Sequence, residues 1–246
     1  MAIYSGRGVH GQTVREVARR ILSGTFPEGS VISLEALESD LDVSRTALRE
    51  ALKVVAAKGM VDARQKRGTF VRPRSDWNLL DADVIRWQFE EVPDEAFFDN
   101  LAEVRGIVEP AVARLAAERR TDDDVKLLEE ALDEMASADG EPSLAVEADL
   151  KFHRTLMAAT HNEILVRMEV LLETGLATRD RLVHDAKPHD DPAPSHRSVF
   201  EAVRDQDAAG AEAAMSALLV KAVADVVDAR KTTRSKVTKS RKKTRR

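Results

Sequence analysis

The chain contains no cysteine among its 246 residues, which excludes both a disulfide framework and a metal site built from thiolates. It also has no apolar run near the roughly 18 residues that a membrane-spanning helix requires. The N-terminus lacks the apolar core of a secretory signal peptide. These absences predict a cytoplasmic protein that has no membrane partner.

Acidic residues are scarce at both ends of the chain and abundant in the middle. Residues 1–74 carry 13 Lys and Arg against 8 Asp and Glu, a net charge of +5. Residues 75–229 carry 15 against 35, a net charge of −20, and residues 230–246 carry ten basic residues and no acid. A basic module beside an acidic body is typical of a DNA-binding domain with a separate sensing domain, because phosphate attracts the first and repels the second.

The string VSRTALREAL, residues 43–52, predicts a helix with one buried and one exposed face. Leu48, Leu52 and Val55 lie at helical spacing on the apolar face. Ser44 is a good N-cap, and we expect the polar first turn that it opens to be exposed. Arginines there suit the major groove, where they read guanine, and hydroxyls suit phosphate. From this helix we expect DNA contacts by Ser44, Arg45, Thr46 and Arg49.

The string KRGTFV, residues 66–71, predicts a tight basic hairpin in which Gly68 provides the turn. Two helices precede the DNA-reading helix: one over 14–22, and one marked by the leucine spacing within 34–41. The order of helix, helix, turn, basic helix and basic hairpin predicts a winged helix-turn-helix over residues 1–74.

At these residues the chain resembles the GntR family of bacterial transcription regulators. The resemblance implies that the recognition helix contacts an operator and that Arg67 and Gly68 lie in or over the minor groove. The segment at 32–37 departs from the family pattern because it lacks the proline that the pattern has there. In addition, Glu35 stands where some relatives place an arginine. The matching segments are FPEG at 26–29, VSRT at 43–46, REAL at 49–52, GMV at 59–61 and RGTFV at 67–71.

The remainder of the chain predicts an all-helical domain and a tail. Residues 75–93 contain both tryptophans and predict a packed connector, and residues 94–229 predict a bundle of six or seven helices that binds an effector and dimerises. The tail, 230–246, predicts a disordered basic segment that adds sequence-independent DNA affinity or is merely solvated. The predicted helices are 94–119, 121–138, 142–160, 162–186, 193–206 and 208–230.

A carboxylate and two imidazoles are the strongest candidates for a site in the helical domain. Asp149 and His153 are four residues apart, so they share a helix face and can hold a divalent metal such as Zn with a third imidazole, for which His196 is suited. Two other interpretations remain open. The three side chains form a metal-free pocket for a polyhydroxylated ligand, or they are structural polar groups.

The helical domain resembles the effector domain, known as the FCD domain, of the FadR-like subfamily. The resemblance implies a small carboxylate effector, with Arg105 facing its carboxylate and Asn162 in the site. Many relatives supply a further histidine ligand where this chain has Leu218, so a metal would have three protein ligands. The matched residues are Glu103, Arg105, Glu109, Asp149, His153, Asn162 and His196.

The connector at 77–87 and the first effector-domain helix are similar to those of galactonate-operon repressors in this family, which implies a sugar-acid effector. The function that we predict is a homodimeric repressor, not an enzyme, that a sugar acid releases from DNA. A regulator of a different organic acid, a metal-dependent hydrolase using the Asp-His-His set, and a nonspecific DNA-binding protein that relies on the tail are the alternatives.

Overall fold

A computed structural model describes residues 8–91, 95–138, 141–170 and 193–243. Within these ranges the protein is mostly helical with one two-stranded sheet, which confirms the predicted fold class. The chain divides into two compact units, Met1–Glu95 and Ala96–Arg246. Among the described helices, none is long and apolar enough to cross a membrane.

The N-terminal unit has a core formed by its first and third helices. In the first helix Val14, Val17 and Ile21 are buried, and in the third Leu48 and Val55 are buried, as their spacing predicts. The elements of this unit are α1 (Gly8–Leu22), α2 (Leu34–Leu41), α3 (Arg45–Ala57), β1 (Val61–Arg64), β2 (Gly68–Val71), a 3-10 helix (Arg74–Asp76) and α4 (Ala82–Glu91).

Side-chain caps define the turn between α2 and α3. The Ser33 hydroxyl accepts a hydrogen bond from the Ala36 amide at the start of α2, and the Ser44 hydroxyl accepts one from the Ala47 amide at the start of α3. Between them Asp42 adopts a left-handed conformation with φ of 49°, which ends α2 within one residue. The chain therefore turns sharply into α3, as a helix-turn-helix requires.

The hairpin after α3 is the wing of the motif. Val61 of β1 pairs with Val71 of β2, and Arg64 pairs with Gly68 in antiparallel register. Gly68 has a φ of +80°, which glycine adopts without strain, at the point where the chain enters β2. A bridge between Val31 and Phe70 joins the segment before α2 to the outer side of the wing.

A buried ion cluster fixes the connector to the end of α3. The Lys58 ammonium lies 2.8 Å from a carboxylate oxygen of Asp81 and 2.8 Å from one of Asp83, and both acids are buried. Burial lowers the pKa of Lys58, but the two carboxylates outweigh burial and raise it. Trp77 and Trp87 share the core of α1 and α3, so the connector packs within the N-terminal unit.

The C-terminal unit has six helices in its described part. Its core includes Val112, Leu132, Phe152, Val199 and Met215, which come from different helices and are almost completely buried. The helices are α5 (Glu95–Arg119), α6 (Asp122–Ala136), α7 (Pro142–Ala158), α8 (Glu163–Arg167), α9 (Ala193–Arg204) and α10 (Ala208–Lys243).

The structure describes one predicted helix only in part and differs from the prediction at the tail. Within the predicted helix over 162–186, the described residues form the short α8, a turn at Met168 and helical residues 169 and 170, and the portion beyond residue 170 lies outside the described residues. The tail was expected to be disordered, whereas α10 continues as one helix through Lys243. Lysine and arginine are good helix formers, and the segment after Gly210 has neither glycine nor proline to end a helix that begins in the bundle.

Candidate functional site

The first candidate surface is the exposed side of α3. Arg45, Thr46 and Arg49 are all exposed near its N-terminus, on the side away from the buried Leu48 and Val55. Ser44 is also exposed, although its hydroxyl oxygen already caps the helix. The structure thus presents two guanidinium groups and a hydroxyl to solvent at the end of the helix that enters the major groove in this motif. Their contacts with DNA stay predictions.

The wing supplies a further exposed basic group to the N-terminal unit. The Arg67 guanidinium lies 3.7 Å from the centroid of the Phe70 ring, and its Nη2 donates a hydrogen bond to the Gly29 carbonyl oxygen at 3.3 Å. Stacking on Phe70 limits the conformations of an otherwise exposed side chain. Arg67 and the neighbouring Gly68 are both exposed, which a minor-groove contact requires.

The second candidate site is a buried cluster in the C-terminal unit. Asp149 and His153 lie one turn apart on α7, and His196 comes from α9. The Asp149 Oδ1 atom lies 2.7 Å from His196 Nε2 and 3.5 Å from His153 Nε2. The three residues are 5%, 2% and 2% exposed, so the structure brings the predicted triad together out of contact with bulk water.

An aromatic ring packs against both imidazoles of the cluster. Phe152 packs edge-on against His153 with ring centroids 5.9 Å apart, and against His196 with centroids 5.1 Å apart. The two imidazole planes are nearly perpendicular to each other, at 86°. Because Phe152 is fully buried, both rings have little room to rotate.

Two further residues, both on α5, extend the cluster. Glu109 Oε2 lies 3.0 Å from His153 Nδ1, on the opposite side of that ring from Asp149. The other oxygen of Glu109 accepts a hydrogen bond from Arg105 Nε. In the sequence, Glu109 stands out only as one of the residues matched to the FadR-like effector domain. Its contact with His153 was missed because nothing in the spacing places α5 beside α7.

The charges in this cluster alternate in sign. Burial raises the pKa of Glu109, but Arg105 and His153 outweigh burial and lower it to about 2. Burial lowers the pKa of His153, but Glu109 and Asp149 outweigh it and raise the value to about 9. Burial also raises the pKa of Asp149, yet His196 and His153 hold it well below its usual range. A positive charge beside each buried carboxylate is therefore part of the architecture.

The donor set fits a divalent transition metal. One carboxylate oxygen and two imidazole nitrogens lie within 4.8 Å of one another. His153 Nε2 makes no hydrogen bond of regular geometry, although it is buried and directed toward Asp149. Imidazole and carboxylate ligands suit zinc and related ions. Such an ion would replace the proton of His153, since a ligating imidazole must be neutral.

The position at which the FadR-like resemblance implies a further histidine ligand is apolar in this chain. Leu218 is 6% exposed and belongs to the same hydrophobic core as Phe152. A leucine side chain offers no atom that can ligate a metal. A bound ion would therefore retain at least one coordination position for water or for a ligand oxygen.

Two predicted effector residues have partners within the protein. Arg105 is paired with Glu109 and is 9% exposed. Asn162 caps α8, where its Oδ1 accepts hydrogen bonds from the amides of Ile164 and Leu165. Their contact with an effector stays a prediction. To bind an effector, each side chain would have to use a polar atom that is not engaged by its partner, or the effector would have to displace that partner.

Two family models match the chain. Residues 10–71 match the model described as bacterial regulatory proteins, gntR family, and residues 100–221 match the FCD domain. The first match contains α3 and the wing, and the second contains the whole buried cluster. The second match ends within α10, so the basic C-terminal segment lies outside both.

Curated relatives and a solved structure agree with these matches. The chain is 33% identical over 205 residues to the galactonate operon transcriptional repressor of Escherichia coli (strain K12), covering 80% of this chain and 88% of that protein. It is 34% identical over 199 residues to the HTH-type transcriptional regulator LutR of Bacillus subtilis (strain 168), covering 78% and 89%. The structure of Lar, which controls the Listeria monocytogenes agr system, shares the fold with a TM-score of 0.62 at 15% identity, covering 90% and 97%.

Proposed function

This chain belongs to the GntR family of DNA-binding transcription regulators, which are not enzymes, and has the FCD effector domain; we propose that it is a homodimeric repressor that a sugar acid releases from its operator. The observation that carries the proposal is the convergence of Asp149, His153 and His196 in the buried core of the domain that binds effectors in this family. The choice of a sugar acid, such as galactonate, is supported by the relative that represses the galactonate operon.

The chemistry of the cluster suits a hydroxylated carboxylate. A bound zinc ion would supply a positive centre that attracts carboxylate and hydroxyl oxygens. Asp149, His153 and His196 would hold it, and Leu218 would leave a position for a ligand oxygen. Phe152 restrains both imidazole rings. Without a metal, the same polar atoms are donors and acceptors for hydroxyl groups.

The N-terminal unit would read DNA through Arg45, Thr46 and Arg49 in the major groove, with Arg67 at the minor groove. Two copies would place two such helices on half-sites about one helical turn apart. The effector can lower DNA affinity only if it binds more tightly to a dimer arrangement that does not match this spacing. The acidic effector domain would not itself bind DNA, since phosphate repels it.

The test is binding of the full chain to the promoter next to its own gene, measured by fluorescence anisotropy. The titrations include aldonates, uronates and smaller hydroxy acids, each with and without EDTA. Release of the protein from DNA by an aldonate, at concentrations at which the other acids have no effect, supports the proposal. Loss of this release in EDTA supports a role for a bound metal. Release by a different organic acid alone would contradict the sugar-acid assignment and leave the regulator intact.

The matched variants for this experiment are two histidine substitutions in the C-terminal unit. His196→Gln removes a member of the buried cluster, whereas His161→Gln removes an exposed histidine that pairs with Asp124. We expect effector release to be lost in the first variant and retained in the second, while both still bind operator DNA. Equal effector responses in the two variants would contradict the placement of the effector site.

A further inference from the structure

Glu109 occupies a position between two charged side chains of the buried cluster. It is 2% exposed, it accepts a hydrogen bond from Arg105, and its Oε2 lies 3.0 Å from Nδ1 of His153. The second nitrogen of the same ring, Nε2, faces Asp149 at 3.5 Å, and His196 Nε2 approaches the same Asp149 oxygen. The two nitrogens of His153 thus face different carboxylates on different helices, α5 and α7.

We propose that Glu109 is a positioning residue that holds Nδ1 of His153 toward α5 and thereby presents Nε2 to the metal site, and that Arg105 acts by holding Glu109. This inference rests on the metal site of the proposed function. It assigns Arg105 a role through Glu109 in place of direct contact with the effector carboxylate.

The surroundings of a histidine side chain decide which of its two ring nitrogens carries the proton. In a neutral imidazole one nitrogen carries the proton and the other carries the lone pair that binds a metal. A carboxylate beside Nδ1 favours the tautomer with the proton there, which leaves the lone pair on Nε2. Glu109 Oε2 lies 3.0 Å from Nδ1, an ion-pair distance without regular hydrogen-bond geometry, and the negative charge at this distance favours the proton on Nδ1. This tautomer is the one that directs a ligating atom toward Asp149 and His196.

Arg105 is needed because a carboxylate is costly to bury alone. Glu109 contacts His153 of α7, and Arg105 supplies the compensating charge from one turn away on α5. The side chain of Arg105 is 10% exposed, and its Nε already donates a hydrogen bond to Glu109. An effector carboxylate that took Arg105 would compete with Glu109 and release the histidine that Glu109 holds.

The first experiment measures the affinity of the full chain for zinc by competition with a chelator. Glu109→Gln keeps the size of the side chain and removes its charge. We expect its zinc affinity to fall roughly tenfold to a hundredfold, as for other residues that orient metal-binding histidines. The matched control is Glu118→Gln on the same helix, where Glu118 pairs with Arg114 at the same four-residue spacing but is 41% exposed. Its affinity should equal that of the wild type.

The outcomes separate the positioning role from the site itself. Zinc binding by the wild type with equal affinity in Glu109→Gln would overturn the role of Glu109 and leave the metal site in place. Absence of zinc binding by the wild type would overturn both, while sugar-acid release of DNA would still be measurable. Arg105→Gln distinguishes its two roles: lower zinc affinity supports action through Glu109, and weaker effector binding with unchanged zinc affinity contradicts it.

A second measurement identifies the metal-binding nitrogen directly in the wild type and needs a variant only to assign the signals. Nitrogen-15 NMR of histidine rings in the zinc-loaded protein identifies which nitrogen binds the metal. The His153 signals are assigned by their loss in His153→Gln. We expect Nε2 of His153 to be the ligating nitrogen and Nδ1 to be protonated. Ligation through Nδ1 would overturn the proposal, since that atom would have turned away from Glu109.

Discussion

In the N-terminal unit Arg45, Thr46 and Arg49 are exposed on a helix, whereas in the C-terminal unit Asp149 and His153 are buried against other charged groups. An exposed basic side chain keeps its hydration and has little effect on the stability of the fold. Its identity can therefore be set by the binding partner without regard to folding. A buried charge must be balanced inside the protein. Substitutions of these exposed basic residues should therefore change DNA binding without changing stability, whereas substitutions in the buried cluster should change stability together with metal or effector binding.

The largest effect should come from Asp149→Ala. This substitution leaves His153 and His196 without the carboxylate that they share, in a site closed to bulk water. We expect the free energy of unfolding to fall by about 3–5 kcal/mol, which is typical when one partner of a buried pair is removed. Urea denaturation of the metal-free protein measures this change. A loss no larger than that of Glu118→Gln, which breaks an exposed pair, would contradict the contrast between the two units.

The next effect is on DNA affinity. Arg49→Ala should weaken operator binding by about 1–3 kcal/mol if Arg49 contacts a base edge. The free energy of unfolding should change by less than about 0.5 kcal/mol, because the side chain is exposed. Lys53→Ala is the matched control: it removes the same charge one turn later on α3, from a side chain that is 72% exposed. Equal losses of operator affinity in both variants would mean that Arg49 contributes only general electrostatic attraction to DNA.

The pH dependence of stability gives a smaller effect in the N-terminal unit. Hydrogen bonds from Arg19 oppose burial and, with Arg20, lower the pKa of Glu16 from 4.5 to about 2. Since the folded-state pKa is depressed, this stabilisation is present above about pH 4.5 and is lost as the pH falls toward 2. Because Glu16 remains partly exposed, we expect about 1 kcal/mol at most after solvent screening. Urea denaturation at pH 7 and pH 3 should show a smaller difference for Glu16→Gln than for the wild type, and an unchanged difference would argue against it.

The smallest effect on specific binding should come from deletion of residues 230–246. The segment carries ten basic residues and lies outside both family matches. If it contacts phosphates, the deletion should reduce the dependence of operator affinity on salt concentration and weaken binding a few-fold at low salt. Anisotropy titrations at several salt concentrations measure this slope. Complete loss of binding would instead favour a nonspecific DNA-binding protein.

Local patterns were sufficient to predict several elements. The apolar spacing in α3 predicts the buried residues that the structure contains, because side-chain direction in a helix follows from the backbone period alone. The same argument places Asp149 and His153 on one face of α7. The extent of α10 was not predicted, because a basic composition is compatible both with disorder and with the continuation of a stable helix.

The sequence by itself determined the family, the helix predicted to read DNA and the residue types of the buried cluster, since each of these follows from a short segment with a fixed period or motif. Only the tertiary structure decided that Glu109 on α5 contacts His153 on α7, and that Asn162 caps a helix. The contact between Glu109 and His153 depends on how helices pack. Two residues that are 44 positions apart in the sequence give no local signal of such packing. The cap by Asn162 depends on where a helix begins, and a polar residue is equally suited to a cap and to a ligand site.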